Sequence, residues 1–237
     1  MTLYGCWAVP RSASTAFERM VTQRGDLEVV SEPFARAYYD GPDARSHRFD
    51  ATDPEATFAA VRAAVLGRAA RAGCFVKDMA YQVLPALDDA LARAGPHTVL
   101  VRDPSESLPS LARRWPDFTE EEAGFRAATA LVERLDDLGA TVVVIDSDDL
   151  RRRPAATVRT WCEAVGLPFV ERALRWEPGM RDDWQRWAEW HAETASSRGF
   201  VAPSSEPAEV PAGLRPAVEA ALPHYHALRS RRLLPDA

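Results

Sequence analysis

Leu3-Tyr4-Gly5-Cys6-Trp7-Ala8-Val9 runs directly into Pro10-Arg11-Ser12-Ala13-Ser14-Thr15, a short apolar segment followed by a turn of small hydroxyl residues. Segment 3–9 has the composition of a buried strand, and a helical pattern begins near Thr15, with Glu18 three residues on as in a capping box. Further short apolar runs recur at 27–30, 74–76, 98–101 and 141–145. Helical patterns at 54–72, 81–94, 104–115, 120–138 and 154–165 separate most of them. This alternation predicts an α/β fold of three layers, α/β/α, with a mainly parallel central sheet. Asp103-Pro104 with Glu106 supplies a cap, a first-turn proline and an acidic third position for one of these helices. Beyond residue 166 the pattern changes to a tryptophan-rich helix, a Pro/Ser/Glu-rich loop over 203–213 and a last helix interrupted by Pro223.

Composition narrows the function classes. The chain has 237 residues, 46% of them hydrophobic, enough for one substantial core, so 1–237 is expected to be a single domain. Twenty-nine Lys and Arg against 35 Asp and Glu leave a net charge of −6, which argues against wrapping nucleic acid. No basic, apolar leader opens the sequence and no window matches a membrane span, so a cytoplasmic protein without a membrane partner is expected. Cys6, Cys74 and Cys162 are odd in number and widely spaced, as expected of buried free thiols. His224 and His226 lack further ligands at metal spacing, so no metal is expected. The clusters 151–153 and Arg229, Arg231, Arg232 read as solvated faces.

In an open parallel sheet, ligands bind beyond the carboxyl ends of the strands. Here those ends carry Arg11 to Thr15, Ser31-Glu32, Lys77-Asp78, Arg102-Asp103 and Asp146-Ser147-Asp148, which would bring three cations and several carboxylates to one edge. A tight turn entering a helix offers backbone N–H groups and the helix dipole to an anion, and Arg11 adds a fixed charge. Two other readings of the loop stay open. It can be a plain helix cap, or a nucleotide-triphosphate loop in which Gly5, Arg11 and Ser12 take the Gly, Lys and Ser positions, although Pro10 replaces the second glycine.

Pro10-Arg11-Ser12-Ala13-Ser14-Thr15 resembles the 5′-phosphosulfate loop of sulfotransferases, with Ala13 in place of the usual glycine. Arg102 at a strand end and Ser110 eight residues later are similar to the 3′-phosphate motif of the same superfamily. Glu32-Pro33-Phe34, Lys77-Asp78-Met79 and the stretch from Trp184 to Ser197-Arg198-Gly199-Phe200 resemble a bacterial and plant branch of that superfamily. The resemblance implies a P-loop NTPase-like sulfotransferase fold and transfer of a sulfuryl group from 3′-phosphoadenosine 5′-phosphosulfate to a hydroxyl, with an amine as second choice, of a small molecule. It implies that Arg11, Ser12, Ala13, Ser14 and Thr15 hold the 5′ end of the donor and Arg102 and Ser110 the 3′-phosphate, with Arg198 as a late-chain helper. Glu32 is the candidate base and His191 its alternative, Lys77 a contact to the sulfonyl group or acceptor, and Asp78 its orienter. Phe34, Asp78, Trp187 and His191 are expected around the acceptor, with a helical appendage from about 176 to 237 covering it. A nucleotide-dependent kinase and a non-catalytic nucleotide-binding protein are the competing functions.

Overall fold

A computed structural model describes residues 2–204 and 208–235, so 205–207 of the Pro/Ser/Glu-rich loop lie outside the described residues. Among the described residues, β1 (Leu3–Ala8), β2 (Glu28–Ser31), β3 (Cys74–Met79), β4 (His97–Val101) and β5 (Val142–Asp146) form one sheet in the order β2-β3-β1-β4-β5. Every pairing is parallel, with Gly5 opposite Val76 on one side and His97 on the other. Helices follow as α1 (Ser14–Arg24), α2 (Pro33–Tyr39), α3 (Phe58–Arg71), α4 (Ala80–Val83), α5 (Asp89–Ala92) and α6 (Pro104–Ala112). After them come α7 (Glu120–Ala123), α8 (Phe125–Asp137), α9 (Ser147–Arg152), α10 (Pro154–Val165), α11 (Ala188–Ser196) and α12 (Arg215–Ser230).

Strand periodicity divides the core into two layers. Leu3, Trp7, Val76, Val99 and Val144 point to one face, where they meet residues of α2, α3, α6, α8 and α12. Cys6, Ala8, Phe75, Leu100 and Ile145 point to the other, against α1 and α10. The helix after β1 therefore covers one face and the helix after β4 the opposite face. The loops leaving these neighbouring strands diverge, which is the crevice where such sheets bind ligands. Two polar side chains inside one layer are paired: Trp7 Nε1 donates to His97 Nδ1 at 2.9 Å, and His97 Nε2 lies 3.0 Å from the Ala92 carbonyl. Gly5 is required beside them, because a Cβ there would stand 2.4 Å from the Trp7 ring.

Several expected elements come out differently. The pattern 81–94 breaks into α4, a 3₁₀ turn over Leu84–Ala86 and α5, with Pro85 inside the break. Segment 120–138 divides at Gly124, whose φ of 82° ends α7 before α8 starts. The tryptophan-rich segment is a 3₁₀ turn, Asp182–Trp187, leading into the shorter α11, while α12 runs through Pro223. The expected capping box at α1 is absent: Ala13 stands at the N-cap without a side-chain bond, and Glu18 is fully buried elsewhere. The three thiols are free and buried, and no helix among the described residues is long and apolar enough to cross a membrane.

Candidate active site

The loop after β1 is wound by two left-handed residues, Arg11 at φ 62° and Ala13 at φ 65°, a conformation that glycine adopts at less cost. Ser12 fastens the turn, its buried hydroxyl donating to the Val9 carbonyl at 2.7 Å. That hydroxyl is committed to the loop, which leaves only the backbone of Ser12 for a ligand. Because no side chain caps α1, its first N–H groups remain available to an anion.

Arg11 ties this loop to the helix after β4. Its Nε donates to Ser110 Oγ at 3.0 Å, and Arg102 Nη1 donates to the Arg11 carbonyl at 3.0 Å. Arg102 also grips Glu106 Oε2 through Nε and Nη2, at 3.0 and 2.7 Å, rather than the neighbouring Asp103, which caps α6 by accepting from Ser105 N at 2.8 Å. Arg11 reaches the late segment too, with the Trp190 carbonyl and Glu193 Oε2 each at 3.4 Å. Burial pulls its guanidinium below the usual range; Glu193 opposes this and Arg102 reinforces it.

A second cluster sits at the ends of β2 and β3. Lys77 Nζ, 1% exposed, forms an ion pair with Glu32 Oε1 and lies 3.9 Å from Glu18 Oε2. Burial pulls Lys77 down, but the two carboxylates outweigh it and hold the amine above its usual value. Glu18 is raised by burial, against Lys77 and its hydrogen bonds from Trp184 Nε1 at 2.7 Å and Ser31 Oγ at 2.9 Å. Glu32 occupies the N-cap position of α2 with φ 46°, yet its carboxylate caps nothing and turns to Lys77.

The cap of α2 comes from Asp78, which accepts from Phe34 N at 2.7 Å and Met79 N at 2.9 Å. Asp78 is fully buried and bonds neither Lys77 nor Arg11; burial raises its carboxyl well above the ordinary range. It therefore fixes the α2 backbone instead of orienting a cation. Phe34 is likewise core, fully buried edge-on against Trp7, so neither residue lines the cavity.

Above both clusters lies the late segment. His191, 1% exposed, places Nδ1 3.1 Å from Thr15 Oγ1, and its ring is 4.9 Å from Trp184. Burial, with Lys77 and Arg11 acting in the same direction, pulls the imidazole down to about 3, so it is neutral near pH 7. Trp187 and Trp190 join Trp115 in an edge-on aromatic wall, with centroids 6.3 and 4.8 Å from Trp115. Trp184 is fully buried against Glu18 instead of facing a ligand.

Together these groups enclose a cavity of about 490 Å³ lined by Arg11, Ala13, Ser14, Thr15, Glu32, Lys77, Arg102, Ser110, Trp187 and His191. Arg198 is not among the lining residues; its mostly exposed side chain pairs with Glu177 at 2.5 Å. Three participants had no distinct signal in the sequence. Glu18 looked like a capping residue, Trp115 like the end of a helix, and Arg151, which lines the cavity, like part of a solvated cluster. Among the described residues no group of three or more His, Cys, Asp or Glu is placed to hold a metal.

The model of the sulfotransferase domain family matches residues 1–232. The chain belongs to the sulfotransferase family. The chain is 30% identical over 237 residues to branched-chain-amino-acid aminotransferase-like protein 2 of Arabidopsis thaliana, covering 97% of the chain and 42% of that protein. It is 29% identical to protein 1 of the same name and organism, of which it covers 41%. The chain thus spans about two fifths of the length of the curated relatives it matches. Among solved structures, the sulfotransferase domain of the Synechococcus PCC 7002 olefin synthase superposes with a TM-score of 0.59 at 16% identity, over 99% of this chain and 95% of that one. A sulfotransferase from Alicyclobacillus acidocaldarius gives 0.52 at 17% identity, over 98% and 96%. At these identities the likeness is one of fold.

Proposed function

We propose that this sulfotransferase moves a sulfuryl group from 3′-phosphoadenosine 5′-phosphosulfate to a hydroxyl on a small acceptor with an apolar body. The observation that carries the reading is the pair of bonds joining the two anion motifs, Arg11 Nε to Ser110 Oγ and Arg102 Nη1 to the Arg11 carbonyl. They make one clamp with two cationic ends, the arrangement a 3′,5′-bisphosphorylated nucleoside requires.

In the transfer, a bond forms between the acceptor oxygen and sulfur while the bond from sulfur to the bridging phosphate oxygen breaks, leaving negative charge on the 5′-phosphate. Arg11, the N–H groups at the start of α1 and the Thr15 hydroxyl stabilise that charge; losing one such donor typically costs about 10²–10³ in rate. Glu32 takes the acceptor proton. Lys77 suits this step because it touches two carboxylates: when Glu32 is neutralised, Glu18 still balances the buried ammonium. His191, held neutral with a pKa of about 3, is the poorer base and serves to position Thr15. The wall of Trp115, Trp187 and Trp190, contributed largely by the segment beyond about residue 176, fits an apolar acceptor body.

Thermal stabilisation tests the donor. Adenosine 3′,5′-bisphosphate is expected to raise the melting temperature of the wild type, and Arg11→Ala and Arg102→Ala to reduce the rise. Stabilisation by ATP or GTP with Mg²⁺ alone would sink the reading in favour of a nucleotide-dependent kinase.

A further inference from the structure

The second cationic end of the cavity contains an arginine that neither phosphate motif includes. α9 leaves β5 with Asp146 as its cap, Oδ1 accepting from Asp148 N at 2.8 Å, and carries Arg151 on its second turn. The side chain crosses to the late loop, where Nε donates to the Val201 carbonyl at 2.9 Å and Nη2 reaches the Ala202 carbonyl at 3.3 Å. Its Nη1 is buried and has no hydrogen-bond partner among the described residues. Arg151 lines the same cavity as Arg102, Glu106 and Ser110.

Three arginines meet at this end of the cavity, each with a carboxylate acting on it. Arg11, Arg102 and Arg151 gather there, while the carboxylates that contact the first two are Glu193 and Glu106. Burial lowers the Arg151 guanidinium and the nearby Arg102 lowers it further, against Asp148, Glu106 and Glu193. A guanidinium N–H buried without an acceptor is a costly arrangement unless an acceptor arrives. A phosphate dianion brings the missing acceptor, and the planar fork of arginine matches its oxygens.

We infer that Arg151 is a third ligand of the 3′-phosphate, which distinguishes a 3′-phosphorylated adenine nucleotide from one bearing only the 5′-phosphate. It would do so from α9, where the resemblance had pointed to Arg198 on the late loop. Because its other two nitrogens hold the carbonyls of Val201 and Ala202, the same side chain links the phosphate to the loop edging the cavity. The inference rests on the reading that the cavity takes a 3′,5′-bisphosphorylated nucleoside.

Calorimetric titration of adenosine 3′,5′-bisphosphate and of 5′-AMP into wild type, Arg102→Met, Arg151→Met and Arg151→Lys tests it. Wild type is expected to prefer the bisphosphate strongly. Arg151→Met should weaken the bisphosphate about 10- to 100-fold and 5′-AMP by less than about threefold. Arg151→Lys, which keeps the charge and loses the fork, should fall between, and it carries the comparison if the methionine variant does not fold. An unchanged preference in either folded variant overturns the role of Arg151, as does equal weakening of both ligands, which would make it a brace for the loop alone. If wild type itself does not prefer the bisphosphate, the donor reading fails first and the inference with it.

Discussion

His191 should make this protein sensitive to acid, by an amount that can be isolated with one substitution. The imidazole is 1% exposed, and burial with the Lys77 and Arg11 charges brings it from 6.5 to about 3. Between those values the unfolded chain binds a proton that the folded chain refuses, so the stabilisation is complete above about 6.5 and is lost as pH falls towards 3. Each pH unit in that window is worth about 1.4 kcal/mol, so near pH 5 the loss from this group is about 2 kcal/mol. Other buried groups titrate as well: His97, lowered by burial, adds to the loss, whereas Glu18, Asp78 and Asp146, raised by burial, oppose it. Comparison with His191→Asn cancels these contributions, because the asparagine amide can still reach Thr15 but does not titrate. Urea unfolding followed by tryptophan fluorescence, near pH 7.5 and again near pH 5, gives both stabilities. The variant should be less stable near pH 7.5 by about 1–2 kcal/mol from lost packing against Trp184, and the gap should close by about 2 kcal/mol near pH 5. Parallel losses in the two proteins would refute the assignment of a buried, neutral His191.

Three further outcomes follow from the same geometry. Glu32→Gln should bind adenosine 3′,5′-bisphosphate within about threefold of wild type while sulfuryl transfer to a phenol drops about 10²–10⁴-fold; near-normal turnover would remove Glu32 as the base. Lys77→Met leaves Glu18 and Glu32 facing each other in a buried site and should cost about 3–5 kcal/mol in urea unfolding at neutral pH, less once acid protonates them; a cost below about 1 kcal/mol would contradict the buried ion pair. Ala13→Gly relieves a left-handed alanine at the cost of a more flexible unfolded chain, so a gain of up to about 1 kcal/mol is expected, and a loss would mean that the turn is not strained.

The sheet and the placement of the loop after β1 and the helix after β4 were legible because both are local. Strands buried on both faces appear as short apolar runs, and a strand-turn-helix segment announces itself by composition, so Arg11 to Thr15 follow β1, and Arg102 follows β4 with Ser110 in the next helix. What the sequence hid depends on contacts across long separations. Glu18 sits three residues after Thr15 and mimics a capping box; only the arrival of Trp184, 166 residues on, and of Lys77 makes it part of a buried charge cluster. Asp78 follows Lys77 so closely that a salt bridge seemed natural, but alternation along β3 sends its carboxylate to the α2 backbone. Phe34 went to the core for a related reason, since α2 turns it towards Trp7. Arg151 lines the cavity and Arg198 does not: a run of arginines looks solvated whichever member turns inward, and a conspicuous Arg-Gly pair carries no sign that Glu177 holds its side chain outside.

The central claim is a single clamp that holds the two ends of a bisphosphorylated donor, and a crystal structure of the protein with adenosine 3′,5′-bisphosphate tests it most directly. The 5′-phosphate is expected on the N–H groups of 12–15 with Arg11 beside it, and the 3′-phosphate against Arg102 and Ser110. A reversed nucleotide, or one bound away from the crevice between β1 and β4, would contradict the account.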